Sequence, residues 1–137
     1  MYSNIMIPAD LKHTDRMDKA LSVAADLAKL YGAALHIVGV GQSQPTEVAR
    51  TPAQYAQKLA GFAADKSKAL GVDFAAHAET SHDPAVDLDA VLVRAADNLD
   101  TDLIVMASHV PGAAEYIMAS NAGHLASHAH MSVFVVR

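Results

Sequence analysis

Cysteine and tryptophan are both absent from this chain, and the first absence is the more restrictive. Without cysteine there can be no disulfide, no thiolate metal site and no cysteine nucleophile. Aromatic residues make up only 5% of the chain, although hydrophobic residues as a whole make up 52%. Because this apolar content is mostly alanine and valine, it favours close packing of helices on a sheet over an aromatic-rich recognition surface.

Runs of basic residues and long apolar runs are also missing. The formal net charge is −5, whereas a nucleic-acid groove needs a basic stripe to neutralise phosphates, so we expect no nucleic-acid partner. No apolar run approaches the roughly 20 residues of a membrane helix, and the first ten residues do not resemble a signal peptide. We therefore expect a cytoplasmic protein, not bound to a membrane, that forms one domain over residues 1–137.

Short apolar runs alternate with segments of helical period. Strands are predicted at 4–9, 34–40, 73–79, 103–107 and 132–136, and helices at 15–31, 51–70, 83–99 and 120–128. Gly32 and Gly71 mark helix ends, and Thr51-Pro-Ala-Gln54 is a capping-box signature. Strict alternation predicts an α/β fold: a doubly wound, five-stranded parallel sheet with helices on both faces and strand order 3-2-1-4-5.

The strand order reverses between the first and fourth strands, and ligands of open α/β sheets bind at such a point. Asp10 follows the first strand, where it could accept hydrogen bonds from ribose hydroxyls or simply cap the next helix. Ser120 and Asn121 begin the last predicted helix. Its free N–H groups could hold a phosphate, or these side chains could be ordinary caps.

Dedicated catalysis is not expected, although a metal enzyme remains an alternative. The chain has no Gly-x-Ser-x-Gly elbow and no Walker-type phosphate loop. His124 and His128 have a zinc-type spacing of four, and His130 follows closely, but no glutamate of the protease kind lies between them. Histidines at this position also suit the C-terminal end of a helix dipole, and we favour that interpretation.

Three segments resemble the universal stress protein A family: residues 5–10, 102–109 and 128–137. The resemblance covers the whole chain and implies an adenine nucleotide alpha hydrolase-like fold with adenine-nucleotide binding. The family motif Gly-x2-Gly-x9-Gly-(Ser/Thr) is altered, since Ala107, Val110 and Ala119 stand where its glycines would be. Ser120 matches the hydroxyl residue. The chain is similar to a variant branch that lacks the first two glycines and still binds ATP.

The resemblance also implies roles for individual residues. Asp10 would hold ribose, the Val40 backbone would contact adenine, and phosphates would be bound by His109, Ser120 and Asn121. Five further residues complete the expected binding set for ATP, with or without magnesium: Pro8, Ala9, Met106, Ser108 and Gly112. Relatives dimerise through the last strand, here residues 132–136, so a homodimer is expected.

The resulting hypothesis is a nucleotide-binding regulatory or stress-response protein. One alternative is a family member that acts only through protein–protein contacts, which the lost glycines favour. The other is a slow ATPase or a metal-dependent hydrolase.

Overall fold

Five parallel strands form one sheet in the computed structural model, which describes residues 1–107 and 125–137. In chain order they are β1 Asn4–Ala9, β2 Ala34–Gln42, β3 Phe74–Ser81, β4 Leu103–Ala107 and β5 Ser132–Val136. Their order in the sheet is β3-β2-β1-β4-β5, which confirms the predicted order and leaves β3 and β5 at the edges. From β1 to β3 the strands are added toward one edge of the sheet, and β4 and β5 are added toward the other edge. The strand order therefore reverses between β1 and β4, as a doubly wound sheet requires.

In the described part of the chain, three long helices connect strands: α1 Asp18–Tyr31, α2 Pro52–Leu70 and α3 Pro84–Asn98. Residues 125–128 are also helical. A 3₁₀ turn at Thr14–Met17 precedes α1, so the regular α-helix begins three residues later than predicted. Gly32 and Gly71 end their helices with φ of 67° and 66°, a left-handed conformation in which glycine is favoured.

β2 and β3 extend beyond the predicted ends, to Gln42 and Ser81. The sequence prediction ends β2 at residue 40, because Gly41 is small and Gln42 is polar. They pair with Thr80 and Ser81 in register, and this pairing continues both strands. The carboxyl end of β2 therefore projects past that of β1.

Helices cover both faces of the sheet, as predicted. On one face, α1 and α2 pack over Ile5, Ile7 and Ile37. On the other, α3 and Leu125 pack over Met6, Val38, Ile104 and Met106. Within residues 1–107 and 125–137, no helix is both long and apolar enough to cross a membrane.

Candidate functional site

A cleft of about 220 Å³ opens beyond the carboxyl ends of β1 and β2. Its walls come from the turn after β1, from the end of β2 with the loop that follows, and from the first turns of α2 and α3. Apolar side chains such as Val48 and Leu88 line it together with charged ones such as Asp10 and Lys12. The cleft is therefore at the end of the sheet where the sequence predicts ligand binding, and its lining suits a partly apolar ligand that carries charge.

Asp10 organises the turn that follows β1. Its Oδ1 accepts a hydrogen bond from the Lys12 backbone N–H at 3.0 Å, and its Oδ2 accepts one from His13 Nδ1 at 2.9 Å. The His13 backbone N–H donates to the Asp10 carbonyl at 3.1 Å. Asp10 thus stabilises this turn and does not cap the next helix, because neither the 3₁₀ turn nor α1 has a side-chain cap hydrogen bond. Because each carboxylate oxygen can accept more than one hydrogen bond, this role leaves acceptor capacity toward the cleft.

Tyr55 forms part of the cleft and lies against the β2 backbone on either side of Val40. A Cβ atom at Gly39 would come within 2.6 Å of the Tyr55 hydroxyl, and one at Gly41 within 2.7 Å of the ring carbon Cγ. Both positions therefore need glycine for this packing. Burial, followed by the negative charge of Asp10, raises the pKa of Tyr55 far above its ordinary value, so the phenol keeps its proton.

The loop between β2 and α2 is folded on Thr46 and joined to the turn after β1. The Thr46 hydroxyl accepts hydrogen bonds from the backbone N–H groups of Val48 and Ala49, each at 3.3 Å. Lys12 Nζ forms an ion pair with Glu47 Oε1 at 2.8 Å. The hydrogen bond from Lys12, and then its charge, holds the pKa of Glu47 below its ordinary value. This contact brings a cation to the cleft beside His13.

Three of the residues predicted from sequence line the cleft: Ala9, Asp10 and Val40. Pro8 and Met106 are buried within β1 and β4 and do not belong to the lining. The other predicted binding residues lie outside the described residues, as do two of the positions where the family motif has glycine: Ser108, His109, Gly112, Ser120 and Asn121, with Val110 and Ala119. Ala107, the third such position, ends β4.

The histidines that suggested a metal site are only partly described. His128 and His130 are exposed near the end of the last helix, and His124 lies outside the described residues. In the parts of the chain that the structure describes, no three side chains of the histidine, cysteine, aspartate and glutamate types converge.

Sequence reasoning missed the contributions of Tyr55, Glu47 and the two glycines. The Gly-Val-Gly pattern around Val40 was a usable signal, because glycines inside a strand often mark the close approach of another group. No comparable signal existed for the Lys12–Glu47 pair, since its partners are far apart in the sequence.

A family model described as "Universal stress protein family" matches residues 1–137. The chain belongs to this family. The match extends over both the described and the undescribed residues, and it agrees with the resemblance of the three sequence segments.

Solved structures of the family have the same fold at low sequence identity. A universal stress protein from Archaeoglobus fulgidus has a TM-score of 0.73 at 21% identity, with 100% of both chains covered. A universal stress protein in complex with cAMP has a TM-score of 0.72 at 19% identity, covering 99% of this chain and 97% of the other. The universal stress protein from Archaeoglobus fulgidus in complex with dAMP has a TM-score of 0.66 at 22% identity, covering 99% and 98%.

Proposed function

We propose that this chain binds an adenine nucleotide in the cleft beyond β1 and β2 and acts as a regulatory or stress-response protein. One observation carries the proposal: Asp10 and Val40, which the family resemblance assigns to ribose and adenine, line the same opening. Two universal stress proteins of the same fold were solved with cAMP and with dAMP, which supports an adenine nucleotide over other ligands.

Within this proposal, different residues of the cleft contact the base, the ribose and a phosphate of the nucleotide. The Val40–Gly41 backbone, with Val48 and Leu88 nearby, offers apolar contact and backbone hydrogen bonds to the base. Asp10 accepts from the ribose hydroxyls. Lys12 supplies positive charge, and Lys12 and His13 supply hydrogen-bond donors, for a phosphate on this side. The full ligand would be ATP, with or without magnesium, held further by the predicted residues outside the described part of the chain.

A binding role without dedicated turnover is favoured by the sequence, which lacks the Walker motif and offers Lys12 alone as a lysine close behind a strand end. Slow hydrolysis of ATP is the competing outcome. It is distinguished by following ADP release from the bound complex, because a binding protein returns the nucleotide intact.

We propose in addition that two copies pair through β5. In this edge strand, Phe134 is 45% exposed and Val135 is 39% exposed. An exposed apolar edge is an aggregation hazard, and antiparallel pairing with a second copy about a two-fold axis would remove it. The exposed positions of the opposite edge strand β3 are instead occupied by the small residues Ala75, Ala78 and Thr80.

Titration calorimetry with ATP and AMP, with and without magnesium, tests the proposed function. The protein is first stripped of any carried nucleotide, and mass spectrometry identifies what is released. We expect micromolar binding of at least one adenine nucleotide. Absence of measurable binding at millimolar concentrations, with nothing released from the purified protein, overturns the proposal and favours a role through protein contacts alone.

A further inference from the structure

Three polar side chains form a diagonal line across β1, β2 and β3. Met6 pairs with His36, and Val38 pairs with His77. Because side chains two residues apart in a strand share a face, Asn4, His36 and His77 lie on the face that buries Met6 and Val38. The line crosses β2 in its amino-terminal half, away from the nucleotide cleft. An inference drawn from it does not depend on the proposed function.

Hydrogen bonds along this line fix the protonation of His36. Its Nε2 lies 3.3 Å from Asn4 Oδ1, and an amide oxygen can only accept, so Nε2 carries the proton. In neutral His36 the lone pair is then on Nδ1, which accepts a hydrogen bond from His77 Nε2 at 3.0 Å. For both of these nitrogens to bind a metal ion, His77 must carry its proton on Nδ1 instead of Nε2. Asn4 is itself held in place, because its backbone N–H donates to Asp102 Oδ1 at 3.0 Å.

We propose that His36 Nδ1 and His77 Nε2 chelate a divalent transition metal ion of the Zn²⁺, Ni²⁺ and Cu²⁺ class. Two imidazole nitrogens on a tetrahedral ion, each about 2.0–2.1 Å from it, are about 3.3 Å apart. The observed separation of 3.0 Å needs to widen by only a few tenths of an ångström. Both histidines are half-buried, which leaves one side of the site open to solvent.

Asn4 gives this pair the support that a metal-binding histidine normally has. A histidine ligand usually donates its second ring N–H to a fixed oxygen, which sets the tautomer and the ring orientation. Here Asn4 accepts that hydrogen bond from His36. No third histidine, cysteine or carboxylate converges on the pair among the described residues, so water completes the coordination. With nitrogen ligands and water, Cu²⁺ binds most tightly of the three ions.

Nitrogen-15 NMR of the wild-type histidine rings is the first test and needs no variant. In the metal-free protein at pH 7.5, the protonated nitrogen of His36 should be Nε2. Addition of Zn²⁺ should shift His36 Nδ1 and His77 Nε2 together. A protonated Nδ1 on His36, or Zn²⁺ shifts confined to other histidines, overturns the proposal.

Calorimetric titration with Ni²⁺ then compares matched variants. His36→Gln and His77→Gln should each abolish the same single site, and the double variant should lose nothing more. His82→Gln is the control. His82 follows the carboxyl end of β3, where it contacts the Ser43 hydroxyl instead of the proposed site. Asn4→Ala should weaken binding about 10- to 100-fold, and Asn4→Asp, which keeps an acceptor, should restore it. Unchanged affinity in folded His36→Gln, or loss of the site in His128→Gln instead, contradicts the assignment.

Discussion

Tyr55 packs on Gly41 so closely that a Cβ atom at Gly41 would lie 2.7 Å from Cγ of the tyrosine ring. The contact joins the first turns of α2 to the carboxyl end of β2, where Val40 and Gly41 form one wall of the cleft. The shape of the proposed adenine contact is therefore set by the absence of a side chain at Gly41 in β2.

Gly41→Ala should destabilise the protein by about 1–3 kcal/mol, the usual cost of overpacking a core, because neither the ring nor the strand can move freely. Gly61→Ala is the matched control. Gly61 is inside α2 with nothing within 4 Å of an added Cβ, so alanine should stabilise it by about 0.5–1 kcal/mol. Urea unfolding measures both changes. Equal stabilities of Gly41→Ala and wild type would show that the packing is looser than described.

Asp10→Ala should weaken nucleotide binding by about 1–2 kcal/mol, or roughly 5- to 30-fold, because a hydrogen bond from ribose is lost and the turn after β1 loses its side-chain hydrogen bonds. Asp15→Ala is the control, since Asp15 is an exposed carboxylate in the following 3₁₀ turn and does not line the cleft. Calorimetry with AMP compares the two. If both variants bind like wild type, Asp10 serves the turn alone.

Glu47 should titrate below its ordinary range, because the hydrogen bond and charge of Lys12 favour the carboxylate. The stability that this pair contributes is present above the ordinary pKa of glutamate and is lost as the pH falls through the lowered pKa. Lys12→Met should move the pKa of Glu47 upward, toward its ordinary value. Side-chain carboxyl NMR follows the titration directly, and an unchanged midpoint in Lys12→Met would mean that the two residues are not paired in solution.

Val135→Lys should convert the expected homodimer to monomer, because the substitution places a charge in the apolar edge formed by β5. Ala78→Lys makes the same change at an exposed position of the other edge strand, β3, and should leave the dimer intact. Sedimentation velocity at micromolar concentrations reports the assembly state. A monomeric wild-type protein, or a dimer lost only in Ala78→Lys, contradicts pairing through β5.

The parts of the fold that local signals determine could be predicted from the sequence. Gly32 and Gly71 mark helix ends because a left-handed residue is needed there, and the alternation of strands and helices constrains the sheet order. The ends of β2 and β3 could not be predicted in this way. Gln42 and Ser81 are strand residues only because they pair with each other across the sheet.

The candidate site likewise has residues that the sequence could predict and contacts that it could not. Asp10 was identifiable because it follows β1, and Val40 because it ends the predicted second strand, both at the end of the sheet where ligands bind. The Lys12–Glu47 ion pair and the packing of Tyr55 on Gly39 and Gly41 depend on how the loop and α2 cross over β2. The line from Asn4 to His77 depends on strand register, which neither composition nor hydrophobic period specifies.

Amide chemical-shift mapping with ATP tests the central claim most directly. Nitrogen-15-labelled protein is titrated with ATP, and the shifts are compared between the two ends of the sheet. We predict the largest changes at Asp10, Val40 and Gly41, while Ala75 and Ala76, near the opposite end of β3, stay unchanged. Shifts concentrated away from the cleft, or no shifts at millimolar ATP, would contradict adenine-nucleotide binding at the carboxyl ends of β1 and β2.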